Sequence, residues 1–390
     1  MTYSLPEYGN MIADKERMDP YVFALKAAIR PDSVVLDIGA GTGIHSLLAC
    51  KFGARRVYAV EPNEVIHLGR ELAEINGFGD RIEFIQDLST RITLPERADV
   101  IVSDLRGVLP LFGAHIPAII DARKRHLAPG GTMIPRRDIL WAALVESRNV
   151  YQDLIKPWDH PYGIPMDPVK QIALNRWNDA QTDSIRRANL LTAPEMWAIL
   201  DYSTIEAPDV GCLDIQFEAT RDGTAYGWLI WFDAELADGI GFSCGPEESK
   251  FAEVYGRGFF PLLEPVPIAK GDMISLDIQA ELIDKEYEWR WKTRITSGDD
   301  PGQIKAEFRQ ATDFENALSS SRIAENVSND KPSPSEESKI DHFILGKMDG
   351  RNSYGEIAEL TRKRFPTRFD DNQAALRYVY DLARQYSDQN

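Results

Sequence analysis

The sequence lacks the features that mark disulfide-linked, secreted and membrane-spanning proteins. Its three cysteines, Cys50, Cys212 and Cys244, are spread over 390 residues without a CxxC pair, which speaks against a disulfide framework and a zinc site. No apolar run approaches the roughly 20 residues of a membrane-spanning helix. The polar N-terminus has no apolar core of a secretory signal. We therefore expect a cytoplasmic protein with reduced thiols and no membrane partner.

Basic residues are also few: the chain has 44 lysines and arginines and 61 aspartates and glutamates, which gives a net charge of −17. Because phosphate contacts dominate nucleic-acid binding, this balance argues against a nucleic-acid partner, and none is expected. It would suit a basic peptide or protein, although the charge could serve solubility alone. The chain of 390 residues is longer than a domain with a single hydrophobic core ordinarily is, so two or three domains are expected.

Alternating strand and helix signals occupy residues 31–138, after a helical segment at 1–30 that is expected to close over a ligand. Helical patterns at 43–53 and 64–76 separate apolar runs that have the length of buried strands. These runs are residues 34–38, 56–61, 81–85 and 98–104. Strands spaced by such helices predict a parallel sheet in a Rossmann-like α/β domain.

From residue 139 to 312 the pattern becomes mainly β. Trp289 and Trp291 fall on one face of a period-two run, with Arg290 and Lys292 on the other. A β-barrel or β-sandwich domain is expected.

The C-terminal part divides into two segments. Residues 313–338 are rich in Ser, Asn, Glu and Pro and predict a flexible linker. Residues 339–390 regain amphipathic spacing and predict a small helical domain. Within it, Ser353 and Glu356 have the spacing of a helix capping box.

A glycine-rich loop, residues 39–43, follows the first predicted strand. Gly39, Gly41 and Gly43 let the backbone turn sharply and approach a ligand, and the next helix points free N–H groups toward it. Glu61 ends the second strand, 22 residues after Gly39, where a carboxylate can accept the ribose hydroxyls of an adenosyl ligand.

Further residues around this loop indicate which adenosyl ligand binds. Asp87 follows the third strand and is placed to meet an adenine amine, with Pro62 and Leu88 expected at the same site. The spacing is GxGxG rather than the GxGxxG of dinucleotide folds, and Asp37 could pair with the ammonium of S-adenosylmethionine (AdoMet). We predict an AdoMet site; a nicotinamide cofactor is the alternative.

Residues 34–65 (VVLDIGAGTGIHSLLACKFGARRVYAVEPNEV) resemble the first motifs of the protein arginine methyltransferases. Residues 98–107 (ADVIVSDLRG) resemble the strand leading into that family's double-glutamate loop, and 127–147 resemble its entry to the β-barrel. The resemblance implies a class I AdoMet-dependent methyltransferase that acts on a peptide or protein. It also implies a homodimer, for which the segment 165–200 is the candidate arm.

Residues 11–17 (MIADKER) resemble the family's N-terminal helix, in which an arginine binds the AdoMet carboxylate. The resemblance implies that Arg17 has this role and that Met11 lies near the sulfonium.

Two departures from the family concern the methyl acceptor. The family holds a guanidinium with two glutamates, and this chain has Asp104 and Gly113 at those positions. The family also has a Thr-His-Trp loop in the barrel, whereas no histidine occurs here between His160 and His342. Orienting a guanidinium requires paired carboxylates, so the family's guanidinium-binding site is either missing here or built from other residues.

The loop 103–112 becomes the candidate acceptor site. Asp104 ends a parallel strand, where ligands of such sheets lie, and could orient or deprotonate an acceptor. Arg106 could hold an acceptor carboxylate or pair with Asp104, and His45 and His115 are alternative bases. Two other functions stay open: methylation of a small molecule or of a carboxylate or hydroxyl group, and a non-catalytic AdoMet-binding scaffold.

Residues 343–365 (FILGKMDGRNSYGEIAELTRKRF) resemble the winged-helix, PqqD-like domain that grips leader peptides in peptide natural-product biosynthesis. The resemblance implies that residues 339–390 recognise a peptide, which would add a strand to an exposed edge. Self-association is the alternative.

Overall fold

The structure is a computed structural model with two compact units, residues 1–316 and 317–390. It describes residues 3–180, 184–246, 252–300, 302–315, 336–366, 368–369 and 371–386. Among these residues no helix has both the length and the apolar character needed to cross a membrane.

The first unit contains a parallel sheet at its N-terminal end. Its strands are β1 (Val34–Ile38), β2 (Arg56–Val60), β3 (Ile82–Ile85), β4 (Ala98–Ser103) and β5 (Leu127–Ile134). They lie in the order β3-β2-β1-β4-β5, and every pairing is parallel. The central strand β1 is buried at every position, as expected for a strand covered on both faces. The predicted parallel α/β sheet is confirmed.

Five helices accompany this sheet: α1 (Leu5–Ala13), α2 (Lys15–Ala28), α3 (Ile44–Lys51), α4 (Ile66–Ile75) and α5 (His115–His126). Helix α3 is shorter than the predicted 43–53. Gly43 has a φ of 83° and Gly53 a φ of 107°, and these left-handed conformations place both glycines outside the helix.

Two antiparallel sheets form the predicted β domain. The first contains β6 (Arg137–Val145), β7 (Asn178–Ala180), β8 (Glu195–Asp201), β10 (Gly223–Ala237), β11 (Ile240–Ser243) and β12 (Arg257–Ile268). Its order is β7-β12-β10-β6-β8, with β11 paired to β10. The second contains β9 (Val210–Glu218), β13 (Met273–Ile283), β14 (Glu286–Thr296) and β15 (Ile304–Ala311), in the order β15-β14-β13-β9. Helices α6 (Arg148–Ile155) and α7 (Asp167–Leu174) lie between β6 and β7.

Aromatic side chains join the two sheets into a sandwich. The Phe260 ring lies 5.1 Å from Trp289 and 5.3 Å from Trp291. The Trp228 indole N–H donates to the Thr293 hydroxyl at 2.9 Å. Both β14 tryptophans are buried, so the predicted alternation of faces is confirmed and places them in the core.

Strand β12 lies within the predicted β region and contains three prolines. Its prolines, Pro261, Pro265 and Pro267, are residues that ordinarily argue against a strand. They are accommodated because the pairing with β10 shifts register between Ala225 and Gly227, and such a bulge relaxes the demand for continuous ladder hydrogen bonds.

The second unit contains helices α8 (Glu336–Leu345), α9 (Tyr354–Arg364) and α10 (Asn372–Tyr386). Its core consists of Ile340, Ile344, Ile357, Ala358, Phe369, Ala375, Val379 and Leu382. The Ser353 capping box is confirmed. The described residues of this unit include no strand. The predicted linker, 313–338, lies mostly outside the described residues, and α8 begins within it.

Candidate cofactor and acceptor site

The glycine loop turns at the carboxyl end of β1, as predicted. Gly39, Gly41 and Gly43 have φ values of 72°, 52° and 83°, which residues with side chains adopt rarely. A Cβ atom on Gly41 would lie 2.7 Å from the Tyr8 ring of α1. The N-terminal helix therefore packs directly against the loop, and the missing side chain makes room for that contact.

Glu61 lies beside this loop, immediately after β2. One carboxylate oxygen accepts the Gly41 N–H at 3.1 Å, and the other accepts the Asn63 backbone and side-chain N–H groups at 3.0 and 2.6 Å. The side chain is buried, and its partners are neutral amides rather than a cation. Its carboxylate is thus held at the loop and forms no ion pair with any residue that the structure describes.

Asp87 follows β3 at the same carboxyl edge of the sheet, because β2 and β3 pair in parallel. Its carboxylate accepts the Leu88 N–H at 2.7 Å. Leu88 and Pro62 are both exposed. These three predicted residues line the outer rim of the edge that carries Glu61.

Asp37 is fully buried in β1. One oxygen accepts the Ser46 hydroxyl of α3 at 2.6 Å, and the other has no partner among the described residues. Burial raises its pKa to about 7. The unpartnered oxygen is a buried polar atom that a cationic ligand group could satisfy.

This raised pKa predicts a pH dependence of stability. Between the ordinary value of 3.8 and about 7, the folded protein binds a proton that the unfolded chain has lost. The contribution of Asp37 to stability is therefore complete below pH 3.8, declines as the pH rises toward 7, and is lost above about 7. From pH 5.5 to 6.5 we expect the free energy of unfolding to fall by about 1 kcal/mol more in the wild type than in Asp37→Asn. Urea denaturation at both pH values measures this, and equal slopes would contradict it.

Arg17 connects the N-terminal helices to the end of β4. Its Nη1 donates to the Met11 carbonyl at 2.9 Å. Its Nε and Nη2 contact one Asp104 oxygen at 2.7 and 2.6 Å. Three predicted site residues thus come together, and Met11 takes part through its backbone.

Arg106, in the loop that follows β4, contacts the same Asp104 carboxylate as Arg17. Its Nη1 contacts the second Asp104 oxygen at 3.1 Å, while Nε and Nη2 form a bidentate pair with Asp138 at 2.7 and 2.8 Å. Burial would raise the pKa of Asp104, but Arg17 and Arg106 hold it well below its usual range. Asp104 is therefore an anion. Of the two predicted roles of Arg106, the geometry favours the ion pair.

Three tyrosines complete the network, and sequence reasoning missed them together with Asp138. Tyr255 donates to Asp104 at 2.6 Å, and Tyr202 donates to Asp138 at 2.5 Å. Tyr21 donates to the Ser103 carbonyl at 3.0 Å and accepts from Arg106 at 2.9 Å. Burial raises the pKa of all three hydroxyls, so they remain neutral. They come from α2 and from two segments of the β domain, and no single-sequence signal connects these segments.

The two candidate bases are buried. His45 stacks on Tyr21 at 4.6 Å, and its Nε2 has no partner among the described residues. Burial lowers its pKa to about 3, which makes it a weak base. The His115 Nδ1–H donates to the Pro110 carbonyl oxygen at 2.9 Å, and Gly113 lies in the adjoining loop. The geometry favours structural roles for both imidazoles.

Two family models match the chain. Residues 136–293 match the arginine methyltransferase oligomerization subdomain, and residues 21–135 match the ribosomal protein L11 methyltransferase (PrmA) model. Protein arginine N-methyltransferase 1 of Schizosaccharomyces pombe is 34% identical over 220 residues, which cover 55% of this chain and 64% of that protein. Probable protein arginine N-methyltransferase 6 of Arabidopsis thaliana is 30% identical over 235 residues, 59% of this chain and 54% of that protein. The chain spans less than two thirds of these relatives.

The structure is similar to the Trypanosoma brucei PRMT1 enzyme–prozyme complex with AdoHcy, with a TM-score of 0.68 and 21% identity over 78% of this chain and 96% of that chain. The chain therefore has the fold of a protein arginine methyltransferase. Arabidopsis thaliana protein arginine methyltransferase 10 gives a TM-score of 0.66 and 23% identity over 79% of this chain and 97% of that chain. The fold implied by the sequence resemblance, an α/β domain followed by a β-sandwich, is confirmed.

Proposed function

We propose that this chain is an AdoMet-dependent methyltransferase that acts on a peptide or protein. The observation that carries the proposal is the Glu61 carboxylate, held beside three left-handed glycines at the carboxyl edge of a parallel sheet. The relatives support the chemistry, since they are named as protein arginine N-methyltransferases. One of the similar structures is a complex with AdoHcy, the product that AdoMet leaves after methyl transfer.

The residues at this edge fit AdoMet. We assign Glu61 to the ribose hydroxyls and Asp87 to the adenine amine, with Pro62 and Leu88 on the rim. The unpartnered oxygen of Asp37 suits the ammonium, and Arg17 suits the carboxylate. Bound AdoMet supplies a methyl group on an electrophilic sulfonium, so the protein contributes mainly orientation and exclusion of water.

On the acceptor side we propose that Asp104 orients the methyl acceptor. It lies at the carboxyl end of β4, is an anion, and has both oxygens fixed by partners from α2, the β4–α5 loop and the β domain. Among the described residues Oδ2 accepts from Arg17 and Tyr255, whereas Oδ1 accepts only from Arg106. Oδ1 therefore keeps one lone pair with which an acceptor N–H or O–H can be aligned. Arg106 is proposed as a positioning residue, because Asp138 and Asp104 hold it in place.

We further propose that the helical unit of residues 336–386 recognises the peptide and is PqqD-like. Its support is the sequence resemblance and an independent core of its own. A homodimer is proposed from the match to an oligomerization subdomain, and a cytoplasmic location from three unpaired cysteines, two of them buried.

Calorimetric titration of the full chain with AdoMet and, separately, with NADH tests the cofactor part. We expect micromolar AdoMet affinity and no NADH binding, because a GxGxG loop with a carboxylate two residues before it suits AdoMet. Transfer of labelled methyl from AdoMet to peptides then tests the activity. Absence of AdoMet binding would overturn the proposal.

A further inference from the structure

Four buried charges alternate in sign along the acceptor edge. Arg17 contacts Asp104 at 2.6 Å, Asp104 contacts Arg106 at 3.1 Å, and Arg106 contacts Asp138 at 2.7 Å. Their side chains are at most 8% exposed. Two cations and two anions make the cluster neutral overall, and the surrounding tyrosine hydroxyls add no charge.

Arg106 is itself bound in the way that proteins bind a guanidinium ligand. The Asp138 carboxylate accepts two parallel hydrogen bonds from the Arg106 guanidinium group. The Phe232 and Phe242 rings lie 5.5 and 5.9 Å from its guanidinium carbon. A bidentate carboxylate with aromatic faces is the arrangement that favours a planar cation. The cage for a guanidinium at this edge is filled by the chain's own arginine.

An arginine substrate would bring a third cation next to Arg17 and Arg106. The two carboxylates of the cluster are already paired with these arginines, so the added cation would lose its hydration in a region of low dielectric constant without gaining a partner carboxylate. An uncharged group meets no such penalty. It needs only a hydrogen-bond acceptor, and the anionic Asp104 provides one.

We propose that Arg106 determines acceptor specificity by excluding arginine, and that the acceptor is an uncharged hydroxyl or amide side chain of a peptide. This inference rests on the proposed methyltransferase function. In the transfer, the acceptor lone pair forms a bond to the methyl carbon while the carbon–sulfur bond breaks. The bonding electron pair stays on sulfur, and the acceptor proton passes to water.

Three peptide libraries test this with the wild-type chain and labelled AdoMet. They differ only at one variable position: arginine in the first, serine, threonine, asparagine or glutamine in the second, and lysine, aspartate or glutamate in the third. We expect at least tenfold more label in the second library than in either other one. Label on arginine or on another charged residue would overturn the proposal, and so would label in no library when calorimetry shows that AdoMet binds. Failure of AdoMet binding would instead contradict the proposed function.

A variant gives a second, independent measurement. Arg106→Ala empties the cage and leaves one unbalanced negative charge, so methylguanidinium at millimolar concentration should raise its melting temperature in a saturable manner. The wild type and the surface variant Arg290→Ala should show no such rise. A folded Arg106→Ala that does not respond would overturn the cage assignment. If that variant does not fold, the library result on the wild type decides the proposal.

Discussion

Replacing Asp138 with asparagine is expected to lower the free energy of unfolding by about 3–5 kcal/mol, because it leaves a buried cation without its main partner. The Asp138 side chain is completely buried and so is its partner Arg106. Asparagine keeps the shape but removes the charge, and it cannot accept two hydrogen bonds from the guanidinium together with one from Tyr202. Urea or thermal denaturation of the full chain measures the loss.

A matched control lies on the surface of the β domain. Glu281 pairs with Arg290 at 2.9 Å, and both side chains are 43% exposed. Since solvent screens exposed pairs, Glu281→Gln should cost at most about 1 kcal/mol. A loss in Asp138→Asn no larger than in this control would show that the buried network does not depend on its charge.

Glu61→Ala is expected to weaken AdoMet binding by about 1.5–3 kcal/mol, the range of a hydrogen bond to a charged group. That corresponds to a dissociation constant raised roughly 10-fold to 150-fold. The physical reason is that a buried carboxylate fixed beside the glycine loop would bind two ribose hydroxyls at once. Calorimetric titration with AdoMet measures the change.

Glu96→Ala serves as the control for that measurement. Glu96 also carries a carboxylate, but it pairs with Arg55 at 2.6 Å on the exposed surface and precedes β4, at the opposite edge of the sheet. Its AdoMet dissociation constant should match that of the wild type. If Glu61→Ala remains folded and also matches the wild type, the assignment of Glu61 to the ribose is wrong.

The cofactor half of the candidate site could be predicted because its signals are local. Each strand end is followed within a few residues by its functional group: the glycine loop after β1, Glu61 after β2 and Asp87 after β3. Parallel pairing then brings these ends to one edge. The boundaries of the four strands predicted in this half agree to within one residue, as in Val34–Ile38, since a short and mainly apolar run that ends at a glycine leaves little freedom.

The acceptor half could be predicted only in part. Asp104 and Arg106 stand out because they follow β4, but Asp138, Tyr202 and Tyr255 come from other elements. Arg106 and Asp138 are 32 residues apart, and Arg17 and Tyr255 are 238 apart. Both separations exceed the length of any described helix or strand, so no periodic pattern within one element relates these residues.

The sequence by itself determined the α/β sheet, the change to a β domain and the ligand edge, because these follow from periodicity and from the conformational freedom of glycine. Only the tertiary structure decided what Arg106 does. A guanidinium on a loop can bind an acceptor or an internal carboxylate, and the outcome depends on which anions folding brings within about 3 Å. Here folding supplies Asp138 and two aromatic rings, and the low dielectric constant of the interior strengthens the attraction between the two paired charges.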